Sequence, residues 1–199
     1  MPHYPQPIEQ LLQSFMALPG IGRKTAERFV FFLLKQPQDT IKLFSDRLLA
    51  ALVEIKLCKD CKVISLHERC TICSDPKRNH QAICVVAESP NVFTLEQTAA
   101  WDGVYHVLGG VINHFESIGP EHLQIQSLIE RIKRDQVNEV IIATNPDNHG
   151  ETTALYLIDA IKPLNIKTSR LARGLPAGAD IEFADDVTLG NALKDRRII

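Results

Sequence analysis

The sequence predicts an α/β protein whose second half is built on a mainly parallel sheet, preceded by a helical N-terminal region and a small metal-held segment. Three observations carry this. Residues 82–87 and 139–144 are continuous apolar runs, the pattern of strands covered on both faces. Residues 127–135 and 151–162 follow those runs with helical spacing, and strand alternating with helix is the signature of a parallel sheet. Residues 57–78 are poor in large apolar side chains and hold four of the five cysteines in two pairs. The chain therefore divides into segments 1–55, 56–80, 81–173 and 174–199.

In the first segment apolar residues recur at helical intervals, as Ile8, Leu11, Leu12 and Phe15 and again as Ala26, Phe29, Val30 and Leu33. Leu18-Pro-Gly-Ile-Gly-Arg-Lys-Thr-Ala26 joins the two patterns. Gly20 and Gly22 permit a tight turn whose backbone can approach another backbone closely. A helix starting near Arg23 leaves its first amides unpaired, and bare amides at a helix N-terminus suit a phosphate oxygen. Arg23, Lys24 and Arg28 place cationic side chains beside them. Ile21 is expected to plug the hairpin, and Phe29, Phe31 and Phe32 to serve a core or an interface. An ordinary turn between helices also uses such glycines; Pro19, the basic residues and the apolar helices on both sides favour a hairpin that grips nucleic acid.

Cys58-Lys-Asp-Cys61 and Cys70-Thr-Ile-Cys73 are two C-x-x-C turns with eight residues between them. Two residues between thiolates let one turn aim both sulfurs at a single ion, and two such turns complete a closed tetrahedral zinc site. A closed site leaves no position for water or substrate. Its role is to fold a segment too small for a core of its own. The competing reading is a pair of redox dithiols. Cys84 lies inside the first apolar run and is expected in the core, while His67 and His80 are expected at the surface.

Glu88 follows the first apolar run, and Asn145-Pro-Asp-Asn-His-Gly-Glu151 follows the second. Both lie at carboxyl ends of expected parallel strands, where α/β sheets place their sites. Glu88, Asp147 and Glu151 are hard oxygen donors of the kind that suits Mg²⁺. A plainer use of the same stretch has Asp147, Asn148 and Gly150 turning the chain and capping a helix that starts near Glu151.

Composition narrows the class. With 45% hydrophobic and 23% charged residues, the chain has the balance of a globular protein and not of a disordered one. No apolar run approaches the roughly 20 residues of a membrane span, and Pro2, Pro5, Pro7 and Glu9 stand where a secretory signal would be apolar. A cytoplasmic protein is expected, its thiols reduced and metal favoured over disulfides. The net charge of −2 is uneven: residues 1–80 hold 12 Lys and Arg against 8 Asp and Glu, residues 81–199 hold 10 against 16. Any nucleic-acid face therefore belongs to the N-terminal half. No G-x-x-x-x-G-K-[ST] loop is present, so ATP hydrolysis is not expected.

On these residues the first hairpin resembles a helix-hairpin-helix motif, which holds nucleic-acid backbone without reading sequence. The acidic positions resemble a Toprim domain, whose pattern is a Glu after the first strand and an Asp-x-Asp after a later one. In that family the carboxylates bind Mg²⁺ and support phosphodiester chemistry. Here Asn145 stands at the first Asp, Asp147 keeps the second, and His149 replaces a Glu common in catalytic members. Helix-hairpin-helix, four-cysteine knuckle and Toprim-like domain, in that order, resemble the RecR family of bacterial recombination mediators. The tail, Gly174-Leu-Pro-Ala-Gly-Ala-Asp-Ile-Glu-Phe-Ala-Asp185 continuing through Thr188-Leu-Gly-Asn-Ala-Leu193, is similar to that family's C-terminal signature. The likeness runs from about Leu18 to Arg197.

The resemblance implies a non-enzymatic, DNA-binding protein of recombinational repair. Such a protein works with RecO and RecF to load the strand-exchange recombinase on single-stranded DNA at gaps. It implies dimers that pair into a tetrameric ring or clamp on single- or double-stranded DNA, and one structural zinc per chain held by Cys58, Cys61, Cys70 and Cys73. It also implies DNA contacts from Gly20, Ile21, Gly22, Arg23, Lys24 and Arg28, and a partner or residual-metal surface at Glu88, Asp147 and Glu151. The Walker-B-like tail would pack across a subunit boundary. Two other readings stand beside it. A small Toprim-type nuclease would use Glu88, Asp147 and Glu151 with Mg²⁺; Asn145 argues against it, and Tyr4, Tyr105 and Tyr156 offer no placed nucleophile for topoisomerase action. A pure scaffold would touch DNA only through partners.

Overall fold

A computed structural model describes residues 4–196, so Pro2 and Arg197 lie outside the described residues. The chain divides into two units between Glu54 and Ile55.

In the first unit, α1 (Gln6–Met16), α2 (Arg23–Leu33) and α3 (Gln38–Glu54) follow one another. Pro7 is accommodated because the first helical turn needs no amide donor. The apolar stripes of α1 and α2 meet: Leu12, Ala26 and Val30 are fully buried, with Ile8, Phe15 and Ile21 packed against them. Ile21 thus sits where a hairpin plug belongs. Phe29 packs on Phe15 with ring centroids 5.7 Å apart, Phe31 meets Tyr4 at 5.4 Å, and Phe32 is exposed. By contrast α3 buries none of its residues, and Leu52 and Val53 are each 79% exposed.

The second unit opens with an antiparallel pair, β1 (Lys56–Leu57) and β2 (Ile64–Ser65), followed by the short α4 (Thr71–Ser74). Then β3 (Asn79–Val86), α5 (Ser89–Glu96), β4 (Gly103–Val107), α6 (Ile125–Arg134), β5 (Glu139–Ile142), α7 (Asn148–Ile161) and β6 (Lys167–Arg170) alternate, and α8 (Asp186–Lys194) ends the tail. The four strands β4-β3-β5-β6 are parallel throughout. Along β3 successive side chains serve opposite layers. Ile83 and Val85 join Leu128 and Ile132 of α6 and Leu157 of α7, while Cys84 and Val86 join Tyr105, Val107 and Val92 of α5. That two-sided burial is why 82–87 reads as an unbroken apolar run. At the strand start β4 passes so close to β3 that a Cβ on Gly103 would lie 2.6 Å from the Ala82 carbonyl oxygen. No helix among the described residues is long and apolar enough to cross a membrane.

His106, on β4, is fully buried. Its Nε2 lies 2.9 Å from the Gln124 carbonyl oxygen, and its Nδ1 has no partner. Burial first, then the charges of Arg131 and Lys62, push the imidazole down to about 4, despite the Gln124 bond that favours the charged form. The Asp60 backbone also favours the charged form, without outweighing burial. Between about 6.5 and about 4 the unfolded chain takes up a proton that the folded chain refuses, so stability falls as pH falls through that window. The expected loss is about 3 kcal/mol at about 1.4 kcal/mol per pH unit. Urea titrations from pH 7.5 to 4 should show this slope, and His106→Gln should flatten it. An equal slope in both proteins would refute the assignment.

Candidate metal centre and nucleic-acid interface

The turn between β1 and β2 carries the first cysteine pair, and α4 carries the second. Cys58 N donates to the Val63 carbonyl at 2.8 Å and Lys62 N to the Cys58 carbonyl at 2.9 Å, closing the first turn with Lys62 in the left-handed region at φ 63°. Cys70 is the N-cap of α4, and its sulfur accepts from Cys73 N at 3.4 Å; Cys58 Sγ accepts from Cys70 N at 3.3 Å. The local folding that satisfies these amides therefore also aims the sulfurs inward. All four Sγ atoms lie within 4.8 Å of one another, and Cys61 and Cys70 Sγ are 3.5 Å apart. Zinc with bonds of about 2.3 Å holds tetrahedral sulfurs about 3.8 Å apart. The donor set fits zinc.

Its electrostatics also suit a cation. The Cys61 contact draws the Cys58 thiol far down, and hydrogen bonding to Cys58 pushes the Cys61 thiol far up. Four thiolates cannot coexist here without positive charge between them. The four are buried, whereas a redox pair must meet its partners in solution. They also belong to the sheet's second layer, packed with Cys84, Val86, Tyr105 and Val107. Val107 N donates to the Cys61 carbonyl at 2.8 Å, and Ile64 N to Ser89 Oγ at 3.1 Å. Cys84 takes no part in the cluster, and burial pushes its thiol up to about 12. His67 is exposed, and His80 Nε2 lies against the Asp75 carbonyl.

At the hairpin Gly20 adopts φ 76°, which favours glycine, and Gly22 is the N-cap of α2. Cβ atoms added at Gly20 or Gly22 would meet nothing within 4 Å, so this backbone faces open space. The amides of Gly22, Arg23 and Lys24 donate to no group among the described residues. Three bare donors at a helix N-terminus are an arrangement that suits a phosphate oxygen. The three cations differ. Arg23 is held by Glu9 at 3.1 Å and Glu27 at 3.3 Å, which raises its pKa. Lys24 and Arg28 are exposed and have no carboxylate partner among the described residues. They are the cations available to an incoming anion, a distinction that the sequence pattern hides.

The acidic residues at the strand ends have separate surroundings. Glu88 is exposed at the N-cap of α5, where its backbone N donates to Asn91 Oδ1 at 2.9 Å. Asp147 caps α7, its Oδ1 accepting from Gly150 N at 2.8 Å. The helix starts at Asn148, three residues before Glu151, because this cap begins it early. Gly150 is required there, since a Cβ would lie 2.0 Å from the Asn145 carbonyl oxygen. Glu151 is held by Arg170 at 2.7 and 2.9 Å and also by Arg173, which bring its carboxyl down to about 2. Among the described residues only the four cysteines come together as a metal-type ligand group. The sequence pattern does not single out Arg170 and Arg173. Their available signal is position: Arg170 ends β6 opposite Ile142 at the end of β5, and Arg173 lies three residues beyond it.

Three family models match the chain. One described as "RecR, helix-hairpin-helix" covers residues 8–52, one described as "Toprim domain" covers 81–172, and one described as "RecR, C-terminal" covers 174–197. The cysteine pairs lie between the first two matches.

Proposed function

The chain belongs to the RecR family of recombination mediator proteins, and on that premise we propose that it is a non-enzymatic DNA clamp. In this reading it works with RecO and RecF to load the recombinase on single-stranded DNA at gaps. The observation that carries the proposal is the hairpin: three bare amides flanked by the unpaired Lys24 and Arg28 suit phosphate and read no base. So few phosphate contacts per chain give weak binding at physiological salt. Several hairpins in one assembly make later contacts intramolecular and raise avidity.

Two apolar surfaces favour such an assembly. One is the exposed face of α3; the other is the tail, where Ile181, Phe183, Val187 and Leu193 are all exposed. We assign 1–55 to DNA contact, 56–80 to structural zinc, 81–173 to partner binding through Glu88, Asp147 and Glu151, and 174–199 to subunit contact. Against the nuclease reading, the Glu151 carboxylate is already neutralised by two guanidiniums.

Recombinase loading on single-stranded DNA covered by single-strand-binding protein tests the mediator role. Filament assembly followed by fluorescence should speed up when this chain is added with RecO; equal rates with and without the chain would overturn the proposal. Light scattering tests the assembly. The protein should run as a dimer or tetramer, and Phe183→Asp should reduce its size and weaken DNA binding roughly 100-fold through reduced avidity. A monomer with full DNA affinity would end the clamp model.

A further inference from the structure

Arg131, on α6, is 3% exposed, and a buried guanidinium is costly unless its donors and its charge are matched. Its Nη1 donates to the Tyr105 carbonyl at 2.7 Å and its Nε to Asp135 Oδ2 at 3.3 Å. Its Nη2 points to Cys73 Sγ at 3.7 Å, across 58 residues of sequence.

The carboxylates nearby do not supply enough negative charge. Asp135 is shared with Arg134 at 2.7 Å; Arg134 also reaches Asp60 at 3.1 Å, and Asp60 holds Arg69 at 2.7 Å. Three guanidiniums therefore share two carboxylates, leaving one positive charge over. A zinc ion with four thiolates carries a net charge of −2. The two imbalances meet at the Arg131–Cys73 contact.

We infer that Arg131 is an outer-shell positioning residue of the cysteine centre, donating to the Cys73 thiolate, offsetting its charge and tying it to β4. The inference rests on the reading of the cysteines as zinc ligands. Outer-shell donors orient a ligand and tune its affinity for the metal. An N–H donated to a thiolate also lowers its electron density, and with it the attack on electrophiles that leads to metal release.

Full-length wild type, Arg131→Met and Arg131→Lys, each loaded with one zinc, would be challenged with an aromatic disulfide reagent while a chromophoric chelator reports release. Arg131→Met, similar in length but uncharged, should release zinc roughly 10- to 100-fold faster. Arg131→Lys, which keeps the charge and loses the fork, should fall between. Cobalt-loaded Arg131→Met should show a shifted sulfur-to-metal charge-transfer band. Release rates and bands equal to wild type would overturn the inference. Should Arg131→Met fail to fold, wild type loaded with ¹¹³Cd decides: an Arg131 guanidinium proton coupled to cadmium through the Cys73 sulfur supports the contact. Guanidinium protons without coupling, exchanging as fast as those of an exposed arginine, sink it. Wild type that takes up no metal overturns the zinc reading and this inference together, whereas bound zinc indifferent to residue 131 overturns the inference alone.

Discussion

Stripping the metal, or changing Cys61 to Ser, is expected to unfold the whole α/β unit and leave more than a local loop disordered. The reason is where the cysteines sit. They share one buried layer with Cys84, Val86, Tyr105 and Val107, and the Cys61 carbonyl accepts from the β4 backbone at Val107. Loss of the cation leaves crowded thiols inside the core that supports the sheet. Structural zinc contributes on the order of 10 kcal/mol to folding in small modules, and a domain has only about 5–15 kcal/mol in total. Even a fraction of the first figure removes most of the second. Trp101, the chain's single tryptophan, packs against this layer and reports on it. Chelation under reducing conditions should shift its emission to the red and lower the melting temperature by at least about 15 °C, at about 3 °C per kcal/mol for a domain of this size. One zinc per chain should restore both. A chelated protein, or one with all four ligands changed to serine, that kept its melting temperature and Trp101 emission would show that the metal does not hold the fold.

What the sequence made legible follows physical range. The C-x-x-C turns and the Gly20-Ile21-Gly22 hairpin are built by near neighbours, so spacing alone exposes them. The central strands are equally readable, because the buried stretch 82–86 of β3 and residues 140–142 of β5 are apolar in sequence. The edge strand β6 is Lys-Thr-Ser-Arg, and only its register against β5 makes it a strand. Its sequence carries no apolar signal. Charge neutralisation is harder still. Nothing in the local pattern tells that Arg23 is taken by Glu9, that Glu151 is taken by Arg170 and Arg173, or that Arg131 turns inward to Cys73. Each pair is 14 to 58 residues apart. The spacing of residues 127–135 marks a helix without saying that one of its arginines is buried.

The same distinction among cations sets the expectation for DNA binding. Reversing Lys24 and Arg28 together, as Lys24→Glu with Arg28→Glu, should weaken binding at least 100-fold near 0.1 M salt, because both charges are free. Reversing Arg23 alone should cost less, since Glu9 and Glu27 already offset it. The slope of log affinity against log salt should fall by about 0.9 for each phosphate no longer neutralised, so by about 2 per engaged hairpin. Both side chains are exposed, so the melting temperature should hold. A change that carries no charge separates the amide cradle from simple attraction. Gly22 has φ −83°, and a Cβ there meets nothing within 4 Å, so Gly22→Ala leaves the fold alone. Its methyl would nonetheless stand where a phosphate oxygen must approach the amides of Arg23 and Lys24. Fluorescence anisotropy with labelled DNA should therefore find Gly22→Ala about 10-fold weaker with its salt slope unchanged, the equivalent of roughly one charge-assisted hydrogen bond. If Gly22→Ala bound as tightly as wild type and the double reversal left the slope untouched, phosphate would be held somewhere other than at this turn.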